Sequence, residues 1–200
     1  MKEKLLLDVE TYVADLLNKQ LASTNYYHNT IHTRQVVAYI LELANTEDCT
    51  EEETLTLLLA GWFHDTGFIN TDNGHEEESV KIARAYLSQE NISEDTLNQI
   101  EQLILATKSE VAPNNKLESI IKDADCGHIA SDKFLDISEN LLQEMNAKNA
   151  SNFSELEWVK QNQVFFKNLS FYTDSAKRNW QPKKKFLQLE IQKKIDKLIT

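Results

Sequence analysis

The stretch Leu55-Thr56-Leu57-Leu58-Leu59-Ala60-Gly61-Trp62-Phe63, followed at once by His64-Asp65, decides the fold. Its apolar residues cover every side of a helix instead of one stripe, which predicts a central helix buried all round. At nine residues it falls far below the ~20 that a membrane-spanning helix needs. A buried helix that ends in an imidazole and a carboxylate is costly unless the two groups are paired or hold a metal.

The rest of the chain repeats the helical spacing in a milder form. Val36, Val37, Ile40, Leu41 and Ala44 make one stripe, Leu97, Ile100, Leu103 and Ile104 a second, and Leu117, Ile120, Ile121 and Ala124 a third. Only four Gly and two Pro punctuate 200 residues, too few for the frequent turns of an all-β protein. The expectation is an all-α bundle of nine or ten helices, with loops near 23–29, 45–51, 66–74 and 109–115. Ser93 before Glu94-Asp95, and Ser151 ahead of Glu155, read as helix starts. The aromatic residues of 153–198 (Trp158, Phe165, Phe166, Phe171, Tyr172, Trp180 and Phe186) read as core packing. No linker or repeat divides the chain, so 1–200 is expected to be a single domain.

The formal charge is −11 and the pI about 4.9, which argues against polymeric nucleic acid as a partner. Small anions remain accessible to an acidic protein if a metal supplies local positive charge. Residues 181–200 hold six Lys against Glu190 and Asp196, and this tail reads as a solvated helix face. Cys49 and Cys126 are far apart and fit a reducing compartment. Leu5-Leu6-Leu7 is too short for a signal-peptide core, so a cytoplasmic location without a membrane partner is expected.

Five histidines, His28, His32, His64, His75 and His128, lie in the first two thirds of the chain, and every glycine is close to one of them or to Asp125. His28 and His32 share a face if the helix already begins at His28; Asn29 or Thr30 as a cap would leave His28 outside it. Gly67 reads as a helix stop after His64-Asp65. In Asp123-Ala124-Asp125, Asp125 borders the apolar face while Asp123 is expected to face outward.

The ordered set His32, His64-Asp65 and Asp125, in a helical context, resembles the HD-domain superfamily of metal-dependent phosphohydrolases. Tyr27-His28-Asn29-x-x-His32, Trp62-Phe63-His64-Asp65, His75-Glu76-Glu77-x-Ser79, Leu103-Ile104-Leu105-Ala106-Thr107-Lys108 and Asp123-Ala124-Asp125 resemble its small stand-alone branch. The likeness covers residues 25–130, with helices of 131–200 expected to pack on that core. It implies His32, His64, Asp65 and Asp125 as ligands of one divalent metal. Two imidazoles and two carboxylates do not choose among Mn, Mg, Fe, Co, Ni and Zn. The implied reaction is attack of metal-bound water on the phosphorus of a small phosphorylated, nucleotide-like metabolite. His28, His75, Lys108 and His128 are candidate substrate contacts; Arg34 and Arg84 are further candidate anion contacts with surface roles favoured.

Two departures shape this expectation. Alarmone hydrolases and certain deoxynucleotidases of the superfamily place a carboxylate just after the His-Asp pair, where Thr66-Gly67-Phe68-Ile69 offers none. Glu76, with Glu77 in reserve, and Asp65 are therefore the catalytic candidates. The two-metal phosphodiesterases carry extra histidines before the final Asp, whereas residues 76–127 contain none, so one metal is expected. The alternative is a non-catalytic metal- and nucleotide-binding regulatory module. A homo-oligomer is left open.

Overall fold

The apolar run becomes α3 (Glu51–Phe63), closed at its start by a capping box in which Thr50 and Glu53 exchange hydrogen bonds. All eight residues from Thr56 to Phe63 are buried. In this computed structural model, which describes residues 2–149 and 152–199, α3 lies at the centre of the bundle. It touches α1 (Lys2–Gln20), α2 (Thr30–Thr46), α4 (His75–Leu87), α5 (Glu94–Ala106) and α6 (Lys116–Asp125). Burial on all sides is the packing that its composition demands.

The remaining helices are α7 (Phe134–Asn149), α8 (Glu155–Asn168), α9 (Asp174–Asn179) and α10 (Gln181–Ile199). The protein is therefore all-α, with ten α-helices and no strand among the described residues. Two short 3₁₀ turns, Thr66–Ile69 and Cys126–Ala130, follow α3 and α6 directly. The first occupies a segment expected to be loop.

Most stripes face inward as predicted: Leu97, Ile100, Leu103 and Ile104 of α5 are buried, as are Ile120, Ile121 and Ala124 of α6. Leu41 is an exception, turned outward on α2. One apolar cluster runs from Val9 to Ile195, so the last helices share the core of the first. Within the aromatic set, Trp158, Phe166, Phe171 and Trp180 are buried, but Phe165 and Phe186 are exposed, which narrows the expected core role. α8 starts at Ser154, whose hydroxyl accepts from Glu157 N–H; Ser151 lies outside the described residues.

Two glycines have specific structural reasons. Gly67 does not stop α3, which has already ended at Phe63. A Cβ on Gly67 would stand 1.9 Å from the His75 carbonyl oxygen, so only glycine lets this turn press against α4. Its N–H donates to Ser79 Oγ at 2.8 Å, fixing that contact. Gly74 takes φ 72°, the left-handed conformation that turns the chain into α4.

Asp123 corrects the expectation that it faces outward. It is 1% exposed and receives the backbone N–H groups of Tyr172 (3.0 Å) and Thr173 (2.8 Å) and the Thr173 hydroxyl (2.8 Å). The helix surface it occupies is covered by residues 169–173, a strap that the sequence pattern of α6 alone cannot show. The tail lysines are tied to neighbouring acids: Lys183 pairs with Asp132 at 2.6 Å and Lys194 with Glu155 at 2.7 Å. Lys184 is buried and donates to the Leu169 carbonyl, so the tail is not uniformly a solvated face. No described helix is long and apolar enough to cross a membrane.

Candidate metal centre

Three helix ends meet at one point. Asn29 caps α2, its side chain accepting from the N–H groups of Ile31 and His32, so His32 lies in the first turn and His28 lies outside the helix. His64 and Asp65 follow the C-terminus of α3, and Asp125 is the last residue of α6. His32 Nε2 stands 3.4 Å from His64 Nε2, 3.3 Å from Asp65 Oδ2 and 3.2 Å from Asp125 Oδ1. His64 Nε2 stands 3.2 Å from Asp65 Oδ2 and 3.6 Å from Asp125 Oδ1. His32, His64 and Asp65 are buried, and Asp125 is partly open.

The donor set fits a divalent cation. His32, His64 and Asp125 offer ligand atoms all within 4.8 Å of one another. Donors about 2.0–2.2 Å from a shared ion lie roughly 3–3.5 Å apart, the spacing seen between these side chains. His64 Nδ1 donates to the Gly61 carbonyl at 2.8 Å, which turns the Nε2 lone pair toward the cluster. Asp65 Oδ2 is buried without a hydrogen bond despite its two imidazole neighbours. A buried carboxylate oxygen in that condition calls for a cation. Two carboxylates carry the charge that a divalent ion balances while both imidazoles serve as neutral ligands.

The electrostatics follow the same crowding. Burial alone would lower His32, but Asp125 and Asp65 outweigh it and hold the imidazole above its ordinary pKa. His64 is likewise lowered by burial and raised well above its ordinary value by Asp65 and Asp125. Burial pushes Asp65 and Asp125 up, and the two histidines override it, holding both carboxyls well below the usual range.

The other expected contacts fall into two groups. His28 joins the site edge: its Nδ1 donates to Glu144 Oε1 at 2.6 Å, and its ring stacks on Phe68 at 4.4 Å between centroids. His75 stacks on the same Phe68 ring at 3.8 Å and places Nε2 3.6 Å from Asp65 Oδ1. His128 Nδ1 lies 3.2 Å from Tyr27 Oη and 3.3 Å from the Asp125 carbonyl oxygen; burial pulls its pKa down to about 4. Glu76 stands behind His75, 3.5 Å from its Nδ1. Glu77 and Lys108 pair with each other, which draws both charges away from the donors. Arg34 pairs with Glu10, and Arg84 with Glu94, Glu101 and Asn98, so neither is brought to the site.

A cavity of about 510 Å³ opens beside the cluster, with Asp125, His28, Tyr27 and His128 at one end. Lys122 also lines it, held by the carbonyls of Ala106 (3.1 Å) and Lys108, and partial burial lowers its pKa. Cys126 lines the same cavity, but burial pushes its thiol well above the usual range, so it supplies no thiolate nucleophile.

Sequence reasoning missed Lys122, which looks like any solvated helix lysine, and Glu144. The Glu144 carboxylate accepts from Tyr27 N–H (2.8 Å), His28 N–H (3.0 Å) and Lys148 Nζ (3.0 Å) as well as from the His28 ring. Burial would raise Glu144, but His28 and the two N–H groups bring it down to about 2. Lys148 also reaches Asp72 at 2.6 Å and lies over the Phe68 ring, joining α7 to the segment before α4. Nothing in the α7 sequence marks these residues, because the groups they serve lie more than seventy positions earlier.

An all-helical bundle with a buried His/Asp cluster at its helix ends defines a class of metal-site proteins. The sequence model of the HD domain matches residues 30–129, half of the chain, and the chain belongs to the HD-domain family. Members of that family are in general metal-dependent phosphohydrolases that bind divalent metals. Comparison with curated proteins and with solved structures returned no match.

Proposed function

We propose that this chain is a metal-dependent phosphohydrolase acting on a small phosphorylated metabolite of nucleotide-like type. The observation that carries the reading is the His32–His64–Asp125 cluster, with the buried Asp65 Oδ2 crowded against both imidazoles, beside a 510 Å³ cavity. His32, His64, Asp65 and Asp125 would hold one divalent ion. When bound, such an ion lowers the pKa of a coordinated water and polarises a phosphoryl oxygen.

The chain's own residues supply the rest. Lys122, on the cavity wall beside Asp125, meets phosphate charge. Glu144 occupies the Nδ1 proton of His28 and leaves Nε2 to face substrate. His75, 3.6 Å from Asp65 with Glu76 against it, is the route by which a proton leaves the attacking water. A bond forms from water oxygen to phosphorus, the ester bond breaks, and the departing oxygen takes up a proton.

A regulatory module that binds metal and nucleotide without turnover is the second reading. It is favoured by the pairing of Glu77 with Lys108 and by the position of Glu76 behind His75. Metal analysis of the purified protein, followed by phosphate release over nucleotides and sugar phosphates, separates the two. About one metal per chain with turnover supports the hydrolase; one metal and no release from any substrate supports the module. Full metal occupancy in a His64→Ala/Asp65→Ala double variant would contradict both.

A further inference from the structure

On its α7–α8 side the cavity has a different character. That side is lined by Phe134, Ile137, Leu141 and Met145 from α7 with Trp158 and Phe165 from α8, and it begins beside the site, since the Phe134 and Phe165 rings lie 6.2 and 6.4 Å from that of His128. A sugar phosphate would leave this apolar surface in contact with water, and a phosphate alone would not reach it. The volume suits a small organic ligand. Within this apolar face stand two polar side chains, Ser138 and Asn162. Ser138 Oγ accepts the Trp158 indole N–H and the Asn162 amide N–H, each at 3.1 Å. The Ser138 hydroxyl hydrogen and the Asn162 carbonyl are left to meet an occupant. A flat ring with hydrogen-bonding edges matches such a wall better than an alkyl chain, because its faces lie on Trp158 and its edge reaches Ser138 and Asn162.

We infer that the α7–α8 chamber is the subsite for the organic half of the substrate, and that this half is a flat aromatic group. The inference rests on the phosphohydrolase reading, since the phosphate half is placed at Asp125 and Lys122. It assigns substrate choice to the last third of the chain, outside the residues matched by the family.

Phosphonates, which are not hydrolysed at the P–C bond, test this by calorimetry on the metal-loaded protein. Methylphosphonate, hexylphosphonate and 1-naphthylmethylphosphonate share one head group. The aromatic compound should bind at least about tenfold more tightly than the methyl compound, from the apolar area it buries. Leu141→Trp, which fills the chamber, should abolish that advantage and leave methylphosphonate affinity unchanged. Ile137→Trp serves as a second block if Leu141→Trp loses its helical circular dichroism.

Equal affinity for all three compounds would overturn the subsite. Hexylphosphonate binding as well as the aromatic compound would overturn the aromatic assignment. The neutral 1-naphthalenemethanol, titrated in parallel, separates the two readings. If it binds in a Leu141-dependent way while methylphosphonate does not bind, the chamber stands and the phosphohydrolase reading fails.

Discussion

Asp123 and Asp125 leave the same end of α6 and build two different corners. Asp123, the more deeply buried, is ringed by N–H and O–H donors from Tyr172 and Thr173. Asp125 faces two imidazoles and an open cavity. Burial raises the Asp123 carboxyl, and the donors of the strap only offset it; the histidines hold Asp125 low in spite of burial. Depth alone therefore does not mark function. A buried carboxylate whose lone pairs are filled by hydrogen-bond donors is fastening two segments, and one beside ring nitrogens and an unpartnered oxygen is poised for a cation.

The sharpest way to break this contrast is to remove each carboxylate in turn. Asp125→Ala should strip the metal and lower turnover by about 10³-fold or more, read by metal analysis and initial rates. Glu76→Gln should lower turnover about a hundredfold with metal content unchanged, because the carboxylate against the His75 proton acceptor is lost. A rate within a few-fold of the parent would reduce Glu76 to a helix-end charge. Asp123→Ala should behave in the opposite way, keeping its metal while losing about 2–3 kcal/mol of stability through the unpaired strap donors. That loss appears as a melting temperature lower by roughly 5–10 °C.

Glu144 extends the contrast to pH. Its folded-state pKa of about 2 lies below the ordinary 4.5. The stability it contributes is therefore complete above about pH 4.5 and is lost as pH falls toward 2. Thermal melts across that window should show a destabilisation of about 2–3 kcal/mol in the parent protein. The Glu144→Gln variant should lack this component. The smallest effect belongs to an exposed pair: Lys183→Ala, which breaks the contact with Asp132, should change stability by less than about 1 kcal/mol.

The helical class was legible because Leu55–Phe63 is apolar on every side and the other stripes keep a helical period. His32, His64 and Asp125 were legible as a set because their order resembles the HD-domain pattern, and the fold brings their ligand atoms within 4.8 Å of one another. Asp123 was misplaced because helical geometry reports which way a residue points, not what arrives to cover it. Glu144 and Lys122 were missed for a related reason. Their partners are a backbone turn more than a hundred residues earlier for Glu144 and the carbonyls of Ala106 and Lys108, at the end of α5 and just past it, for Lys122, and no local pattern encodes either. Gly67 was noticed for a reason that proved wrong: its bareness accommodates α4 and does not terminate α3.

The span of the closing contacts bears on how the molecule assembles. Glu144 bonds to residues 116 and 117 positions away, Thr173 to Asp123 across 50, and Ser175 to Glu47 across 128. Contacts so distant along the chain form slowly, because a long loop must close before they give any return. During synthesis, all four donors are added to the chain before Thr173 or Ser175 exists. The four donors thus precede in the chain the helices α7 and α8 that wall the cavity beside them, and the contacts that close the bundle are the last to become available.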